Sequence, residues 1–267
     1  EGDRWKMLMG AGMQDGESAA LLYESYDLIR WEYLGPLFKE KTFDSVEMWE
    51  CPNFFKLGDQ YVLLVSLFPD INGVYYYVGD YDGLKFTPHQ QGVLERGPIF
   101  YAPQVRQFDD ERMIMFAWLL EGRSERAAEA AGWAGVQAIP RTLALDKHDH
   151  LVTQPIAEMK RLRKRVHQMT NIFLATGEAV PIHLSGKHLE IEASVEALDG
   201  RVGLGGLSSP DGREVTRILV DFDAREGLLD TTQSSLSDEV KTSERCVSLS
   251  EEMLEDIRIH VFIDGSV

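Results

Sequence analysis

The sequence has little cysteine, little positive charge and no long apolar run. Its 2 cysteines, Cys51 and Cys246, lie too far apart to suggest a metal-binding pair or a disulfide framework, which favours a reducing compartment such as the cytoplasm. Asp and Glu number 44 against 27 Lys and Arg, giving a net charge of −17, and this charge opposes binding to nucleic acid or anionic lipid. No window approaches about 18 uninterrupted apolar residues, so we expect no membrane span.

The N-terminus also lacks recognisable targeting features. The chain opens on EGDRWKMLMGAG, without an initiator Met or a signal-peptide pattern, so targeting cannot be read from this terminus. With 267 residues, of which 44% are hydrophobic, the chain can form one or two domains.

Most of the chain has the alternating pattern of β-strands, with turn pairs such as Asp82-Gly83 between them. Three segments resemble one another: GDRWKMLMGA, GDQYVLLVSL and DERMIMFAWL. Asp3, Asp59 and Glu111 mark them at steps of roughly 50 residues, and each repeat supplies about four strands, which is the content of a propeller blade. Only three blades are visible and a closed propeller needs about four to eight, so we expect a piece of a larger protein.

Three regions follow from this pattern. Residues 1–157 form the partial propeller, residues 158–172 a linker helix, and residues 173–267 an antiparallel β-sandwich whose last strand is incomplete. The linker carries a run of basic side chains that favours a solvated helix, with an anion site as the alternative: Lys160, Arg161, Arg163, Lys164 and Arg165. Raw sheet edges of a partial propeller would also favour self-association, and thus a homo-oligomer.

Glu50 is the first candidate for chemistry. It stands between Trp49 and Cys51-Pro52, where proline fixes a sharp entry to a strand and the indole offers an apolar wall. A carboxyl group beside an aromatic ring loses solvation, which suits it to carry and donate a proton. The alternative is a glutamate in a bulged loop next to a core tryptophan.

Four ordered segments carry a family resemblance. MWECPNFF resembles the Trp-Glu-Cys-Pro motif of glycoside hydrolase family 32, the β-fructofuranosidases. GVYYYVGDYDGLKFTP is similar to the strand pair after that motif, GPIFYAPQ to Asp-Phe-Tyr-Ala-Pro-Gln, and GWAGVQAIPRTLAL to Trp-x-Gly followed by Pro-Arg-Glu-Leu. The resemblance implies an all-β fold, a five-bladed β-propeller followed by a β-sandwich, with about three blades in this chain.

The same resemblance implies retaining hydrolysis of terminal β-D-fructofuranosides, in sucrose, sucrose-6-phosphate or fructan, without a cofactor or a metal. Glu50 aligns with the general acid/base, and Cys51, beside it, is expected to line the fructose pocket or to pack as a buried thiol. Tyr101 and Gln104 are expected near the acid, or else as a packed aromatic and a strand-end amide. Besides Trp49, Trp118 and Trp133 are candidates to stack on sugar; we favour Trp133, with Trp118 in the core.

Two departures from the family pattern matter. The family nucleophile lies in an Asn-Asp-Pro motif, yet this chain has no Asp-Pro dipeptide, so we expect that aspartate upstream of Glu1 and the segment alone to be inactive. Ile99 stands where the family has the aspartate before Phe-Tyr-Ala-Pro-Gln, and Thr142 replaces the glutamate of Pro-Arg-Glu-Leu. These changes leave a second hypothesis, a carbohydrate-binding propeller that has lost catalysis, and a third, a related glycosidase with another specificity.

Overall fold

The computed structural model describes residues 4–69, 73–95, 97, 99–197 and 199–265. The chain divides into two compact units. The N-terminal unit comprises residues 1–156 and 238–241, and the C-terminal unit comprises residues 157–237 and 242–267. Asp3, which marks the first repeat, lies outside the described residues. Nearly all of the regular secondary structure in the described part of both units is antiparallel β-strand, so the predicted all-β class is confirmed.

The described part of the N-terminal unit contains three consecutive sheets. The first has the order β1-β2-β3, the second β4-β5-β6-β7, and the third β10-β9-β11-β12 with β8 also paired to β9. Their bounds are β1 (Trp5–Gly12), β2 (Ser18–Ser25), β3 (Glu32–Glu40), β4 (Met48–Leu57), β5 (Gln60–Phe68), β6 (Val74–Tyr81), β7 (Phe86–Val93), β8 (Phe100–Gln107), β9 (Met113–Leu119), β10 (Val136–Gln137), β11 (Arg141–Leu145) and β12 (Leu151–Pro155).

Strand β5, an inner strand of the second sheet, is buried on both faces, which explains its nearly continuous apolar run. Alternate residues of β5 enter different cores, because successive side chains of a strand point to opposite faces. Val62 and Leu64 join a cluster with residues of β8 and β9, whereas Leu63 and Val65 join a cluster with residues of β2 and β3. The three sheets therefore stack face to face in sequence order, as blades do.

The three repeats place β1, β5 and β9 at equivalent positions. The ninth residue of the repeated segment is Gly10 in the first copy, Ser66 in the second and Trp118 in the third. The Ser66 hydroxyl accepts a hydrogen bond from the Ala102 amide of the following sheet at 3.1 Å. A Cβ at Gly10 would lie 2.0 Å from the Trp49 carbonyl oxygen of its following sheet. Gly10 is thus required by the close approach of β1 to β4.

One helix in the N-terminal unit was missed by the sequence analysis. Helix α1 (Glu125–Ala131) begins after Ser124, whose side chain accepts a hydrogen bond from the Ala127 amide, and ends at Gly132 in the left-handed conformation. The segment ERAAEAA is rich in alanine, and a serine N-cap with a glycine C-cap is a helix signature. The helix is short enough to be hidden in a strand-rich pattern.

The C-terminal unit contains two sheets in its described part. Strand β13 (His188–Val195) pairs with β18 (Ile257–Asp264), and the second sheet has the order β14-β15-β16-β17. Its strands are β14 (Arg201–Gly206), β15 (Val215–Asp221), β16 (Glu226–Gln233) and β17 (Glu244–Ser248), with a short helix α2 (Glu251–Leu254) before β18. Ile257 and Ile259 of one sheet share a core with Val220 and Ile218 of the other, which is the packing of a sandwich.

The first residues of the C-terminal unit differ from the predicted linker helix. A 3₁₀ helix covers Ala157–Leu162, and residues 163–172 have neither helix nor strand. The consecutive basic side chains repel one another, which weakens an α-helix in this segment. Arg163 instead binds the Glu190 carboxylate of β13 through two hydrogen bonds of 2.6 Å. Among the described residues, no helix is long and apolar enough to cross a bilayer.

Replacing Gly10 by alanine tests the contact between the first and second sheets. We expect Gly10→Ala to destabilise the protein by about 1–3 kcal/mol, because the new methyl group overpacks against the Trp49 carbonyl. Thermal unfolding followed by circular dichroism measures the loss. Gly122→Ala is the matched control, since no atom lies within 4 Å of its added Cβ; equal melting temperatures for the two variants would contradict the packing.

Candidate functional site

Glu50 lies at a β-bulge of strand β4. The pairing of β4 with β5 holds from Met48↔Phe68 to Glu50↔Ser66 and then jumps to Asn53↔Leu64. Cys51 in the bulge has a φ of 47°, a conformation that non-glycine residues seldom adopt, and Pro52 follows it. Bulges re-aim side chains and often lie beside active sites. The bulge here leaves Glu50 partly buried and Cys51 exposed.

Strand β8 contains a second bulge of the same form. Its pairing with β9 jumps from Tyr101↔Trp118 to Gln104↔Phe116, and Ala102 has a φ of 48° before Pro103. The segments Glu50-Cys51-Pro52-Asn53 and Tyr101-Ala102-Pro103-Gln104 therefore match residue by residue in backbone and in the final amide. The repeated bulge presents one polar side chain from each of two neighbouring sheets.

Tyr101 and Glu50 are in direct contact across these bulges. The Tyr101 hydroxyl donates a hydrogen bond of 2.6 Å to Glu50 Oε2 and lies 3.3 Å from the Leu67 carbonyl oxygen. Only 7% of Tyr101 is exposed, and burial, followed by the hydrogen bond to Glu50 and the charge of that carboxylate, raises the pKa of Tyr101. The phenol therefore keeps its proton at every physiological pH and remains a donor to Glu50.

Trp49 lies in the core, with 0% of the residue exposed. Its indole Nε1–H donates to Thr42 Oγ1 at 3.0 Å, and its ring stacks on Phe38 with centroids 5.8 Å apart. Neighbouring side chains of a strand face opposite ways, so the indole does not form the expected wall that a substrate could touch. Trp49 anchors β4 from behind the candidate site.

Cys51 is solvent-exposed, so the alternative of a buried packing thiol is corrected. Its left-handed backbone turns the side chain outward at the bulge. The residue is exposed as a whole, but neighbouring atoms displace part of the solvent around its sulfur; this desolvation, and then the charge of Glu50, raise the pKa of Cys51. The ionisation of the Cys51 thiol therefore depends on the charge of Glu50.

Trp118 is exposed rather than in the core. Its position opposite Tyr101 at the bulge leaves 49% of the residue exposed. A groove of about 400 Å³ is lined by Trp118, Gln104, Ala102, Phe116 and Gly135, among other residues, and Glu50 and Tyr101 are not among them. Gln104 also donates to the Pro103 carbonyl at 2.9 Å. Trp118 and Gln104 thus share a surface next to the second bulge.

Trp133 is held on a loop by an ion pair that the sequence analysis missed. Arg123 donates two hydrogen bonds to Glu121, of 2.8 and 2.7 Å, and its guanidinium lies 3.9 Å from the centre of the Trp133 ring. Arg123 also donates to the Trp133 carbonyl at 3.0 Å, while the Gly135 amide donates to Glu121 at 3.1 Å. Arg123 and these amides lower the pKa of Glu121 to about 2. One face of the indole is thereby braced, and 45% of Trp133 is exposed.

Three carboxylates that could stand in for a nucleophile in this chain are in ion pairs. Asp44 contacts Lys41 at 2.7 Å, Glu95 contacts Arg141 at 2.7 Å, and Glu121 contacts Arg123. Glu47 is exposed, and Asp70 lies outside the described residues. These positions fit structural and surface roles.

Ile99, at the position where the family has an aspartate, is held by its backbone: its carbonyl accepts a hydrogen bond from the Leu120 amide at 2.7 Å.

A cluster in the C-terminal unit has metal-like spacing. Glu190, Glu192 and His260 offer ligand atoms within 4.8 Å of one another. Arg163 already binds both carboxylates, and it is the first cause of the lowered pKa of Glu190, about 2. The guanidinium supplies the positive charge that these carboxylates require, so the cluster is a salt-bridge network.

Two residues that hold the bulges together were missed by the sequence analysis. Asn53 and Ser66 bind backbone groups of the second bulge. The available signal was the repeated Pro-amide pair, Pro52-Asn53 and Pro103-Gln104, about one repeat apart. Its recurrence at matching positions indicates a shared backbone feature, which hydrophobic periodicity cannot reveal.

Comparison with known proteins identifies the family. Residues 1–155 match the family model described as "Glycosyl hydrolases family 32 N-terminal domain". The chain belongs to glycoside hydrolase family 32. The sucrose-6-phosphate hydrolase of Vibrio alginolyticus is 33% identical over 210 residues, covering 73% of this chain and 43% of that protein. The fructan 6-exohydrolase of Beta vulgaris is 31% identical over 220 residues, covering 72% of this chain and 35% of that protein.

Solved structures agree on the fold of this family 32 chain. Fructan 1-exohydrolase IIa from Cichorium intybus superimposes with a TM-score of 0.83 at 22% identity, covering 99% of this chain and 60% of that one. Sucrose-6-phosphate hydrolase from Lactobacillus gasseri gives a TM-score of 0.78 at 22% identity, covering 100% and 56%. The predicted architecture of propeller blades followed by a sandwich is confirmed. The chain spans about half the length of the curated relatives it matches.

The thiol of Cys51 tests the electrostatics beside Glu50. We expect the pH midpoint for alkylation of Cys51 to lie above the ordinary 9.0, because burial and the neighbouring carboxylate both disfavour the thiolate. Glu50→Gln removes the second cause and lowers the midpoint, while Asp44→Asn, at an exposed ion pair, leaves it unchanged. Alkylation rates of the Cys51 peptide, followed by mass spectrometry from pH 7 to about 11, measure it. A midpoint that does not respond to Glu50→Gln would contradict this geometry.

Proposed function

We propose that the complete protein containing this chain is a retaining glycosidase that releases terminal β-D-fructofuranosyl units. The observation that carries the proposal is the Glu50–Tyr101 pair, placed by two matched bulges within a glycoside hydrolase family 32 domain. A half-buried carboxyl group that accepts a short hydrogen bond from a phenol protonated at physiological pH is well oriented for proton exchange with a ligand.

The names of relatives support a fructose-containing substrate. Those at 33% and 31% identity are a sucrose-6-phosphate hydrolase and a fructan 6-exohydrolase, and a variant of the Cichorium enzyme was crystallised with 1-kestose. We therefore propose sucrose, its 6-phosphate or a fructan as the substrate class. The acidic chain suits a neutral saccharide better than a polyanion.

In the proposed mechanism, Glu50 first donates a proton to the glycosidic oxygen as the bond to the fructosyl carbon breaks. It then removes a proton from the water that releases fructose. Tyr101 keeps the Glu50 carboxyl group in one orientation throughout. The second carboxylate, which attacks the anomeric carbon, must lie about 5–5.5 Å away, and we assign it to the Asn-Asp-Pro segment of the family. These 267 residues contain no Asp-Pro dipeptide, so we expect activity only in the complete protein.

The surfaces around Glu50 suggest how the sugar is held. Cys51 and Tyr101 adjoin the reacting carboxyl group, whereas Gln104 and Trp118 share the groove beside the second bulge. The exposed indole of Trp133 can stack on the apolar face of a sugar ring, since Arg123 supports its other face. We propose Trp118 and Trp133 as contacts for sugar units beyond the scissile bond. Residues 1–157 would then be the catalytic part and residues 173–267 an accessory sandwich.

A second candidate function is carbohydrate binding without hydrolysis. Ile99, in place of the family's aspartate, and the absence of an Asp-Pro dipeptide from the chain favour it. Both candidates share the same sugar-binding surface. Fructose release by the complete protein excludes this second function.

Glu50→Gln tests the proposed acid/base. We expect fructose release from sucrose, inulin or levan to fall by about 10²–10⁴-fold, because the amide can neither donate nor accept the proton. An enzyme-coupled fructose assay on protein expressed from the complete gene gives the rate. Glu47→Gln, an exposed neighbour on the same segment, is the control. A Glu50→Gln enzyme as active as this control would sink the assignment.

Trp133→Ala tests the stacking surface. We expect KM to rise about twofold to tenfold with a smaller change in kcat, because stacking on an aromatic ring contributes binding energy at a distance from the reacting atoms. Trp133→Phe keeps a flat ring and should restore most of the affinity. Steady-state kinetics with sucrose and with inulin measure both constants, and an unchanged KM for the alanine variant would remove Trp133 from the substrate contacts.

A further inference from the structure

The contact between Glu50 and Tyr101 joins two sheets that share no strand ladder. Among the described residues, β4 pairs with β5, and β8 pairs with β9. The hydrogen bond of 2.6 Å between the two side chains tolerates little relative movement of the sheets. Something other than backbone pairing must therefore fix the position of one bulge against the other.

Asn53 makes that connection with its whole side-chain amide. Its Nδ2 group donates to the Cys51 carbonyl at 2.9 Å and to the Pro103 carbonyl at 2.8 Å. Its Oδ1 accepts from the Val105 amide at 2.9 Å. Both N–H donors and the carbonyl oxygen of the amide are thus used. One N–H binds the first bulge, whereas the other N–H and the oxygen bind the backbone of the second.

Ser66 adds a second link at the same level. Ser66 is fully buried and stands opposite Glu50 in the β4–β5 ladder. Its hydroxyl oxygen accepts from the Ala102 amide, in the second bulge, at 3.1 Å. Ala102 is the left-handed residue of that bulge, so both links bind the backbone that aims Tyr101.

We propose that Asn53 is a positioning residue for hydrolysis, which fixes Glu50 against Tyr101 by tying the two proline bulges together, with Ser66 as its support. The inference rests on the proposed function for its kinetic consequence, and on the structure alone for its geometric one. Asn53 touches neither substrate nor the reacting atoms in this scheme. Its effect on catalysis passes through the orientation of the Glu50 carboxyl group.

Asn53→Ala separates this role from general stability. We expect kcat for fructose release to fall by about tenfold to a hundredfold, because small displacements of a catalytic group cost that much, and KM to change less. A double-mutant cycle with Tyr101→Phe decides the route: if Asn53 acts by holding Tyr101 against Glu50, the two losses are not additive. Additive losses, or an Asn53→Ala enzyme with unchanged kcat, would overturn the inference.

A control variant and a second readout accompany the cycle. Val78→Ala cuts a fully buried side chain in the core between the second and third sheets, so it should lower the melting temperature while its effect stays additive with Tyr101→Phe. Ser66→Ala, which removes one link of the same set, should lower kcat in the same direction as Asn53→Ala. It also serves if the asparagine variant does not fold.

The Cys51 thiol gives a test that needs no activity. Asn53→Ala frees the Cys51 carbonyl and loosens its left-handed bulge, so we expect faster alkylation of Cys51 in this variant and not in Val78→Ala. If the wild-type protein releases no fructose, the proposed function fails while this measurement still decides the geometric claim. Alkylation of Cys51 at the wild-type rate in Asn53→Ala would overturn that claim.

Discussion

The hydrogen bond between Tyr101 and Glu50 is the constraint on which the candidate site depends. It is short, 2.6 Å, and among the described residues it joins side chains from two sheets that do not pair with each other. In a regular ladder, side chains alternate strictly between the two faces of a strand, and an extra residue changes the direction in which a side chain points. The two bulges, each with a left-handed residue before proline, supply the exception.

The core holds these bulges from behind. Trp49, the residue before Glu50, is locked between Phe38 and Tyr77 and bonded to Thr42. The face of β4 that is fixed most firmly is thus the one opposite the carboxyl group. Tight packing of that face transmits the spacing between sheets to the site, since close-packed interiors resist small shifts.

Much of the fold could be predicted, because strand alternation and a repeat of roughly 50 residues are properties of the sequence itself. Helix α1 was not predicted, because its seven residues are too few to show a helical period. The linker was wrongly predicted as a helix, because its basic composition resembles that of a solvated helix. Glu50, Tyr101 and Gln104 were predicted as site residues from the family resemblance, and their roles stay a prediction. The burial of Trp49 and the exposure of Trp118 were not predicted. A bulge decides which face of the strand each residue occupies, and hydrophobic periodicity cannot locate a bulge.

A stack of similar sheets explains how one backbone design can carry different chemistry. At matching bulges the second sheet offers a carboxyl group and the third a phenol, each followed by a left-handed residue, proline and an amide. The two amides have nevertheless diverged: Asn53 is short enough to bond across to the neighbouring sheet, whereas Gln104 turns back to the Pro103 carbonyl. The backbone repeat sets where a side chain emerges, and the side chain alone decides whether it reacts, orients or binds.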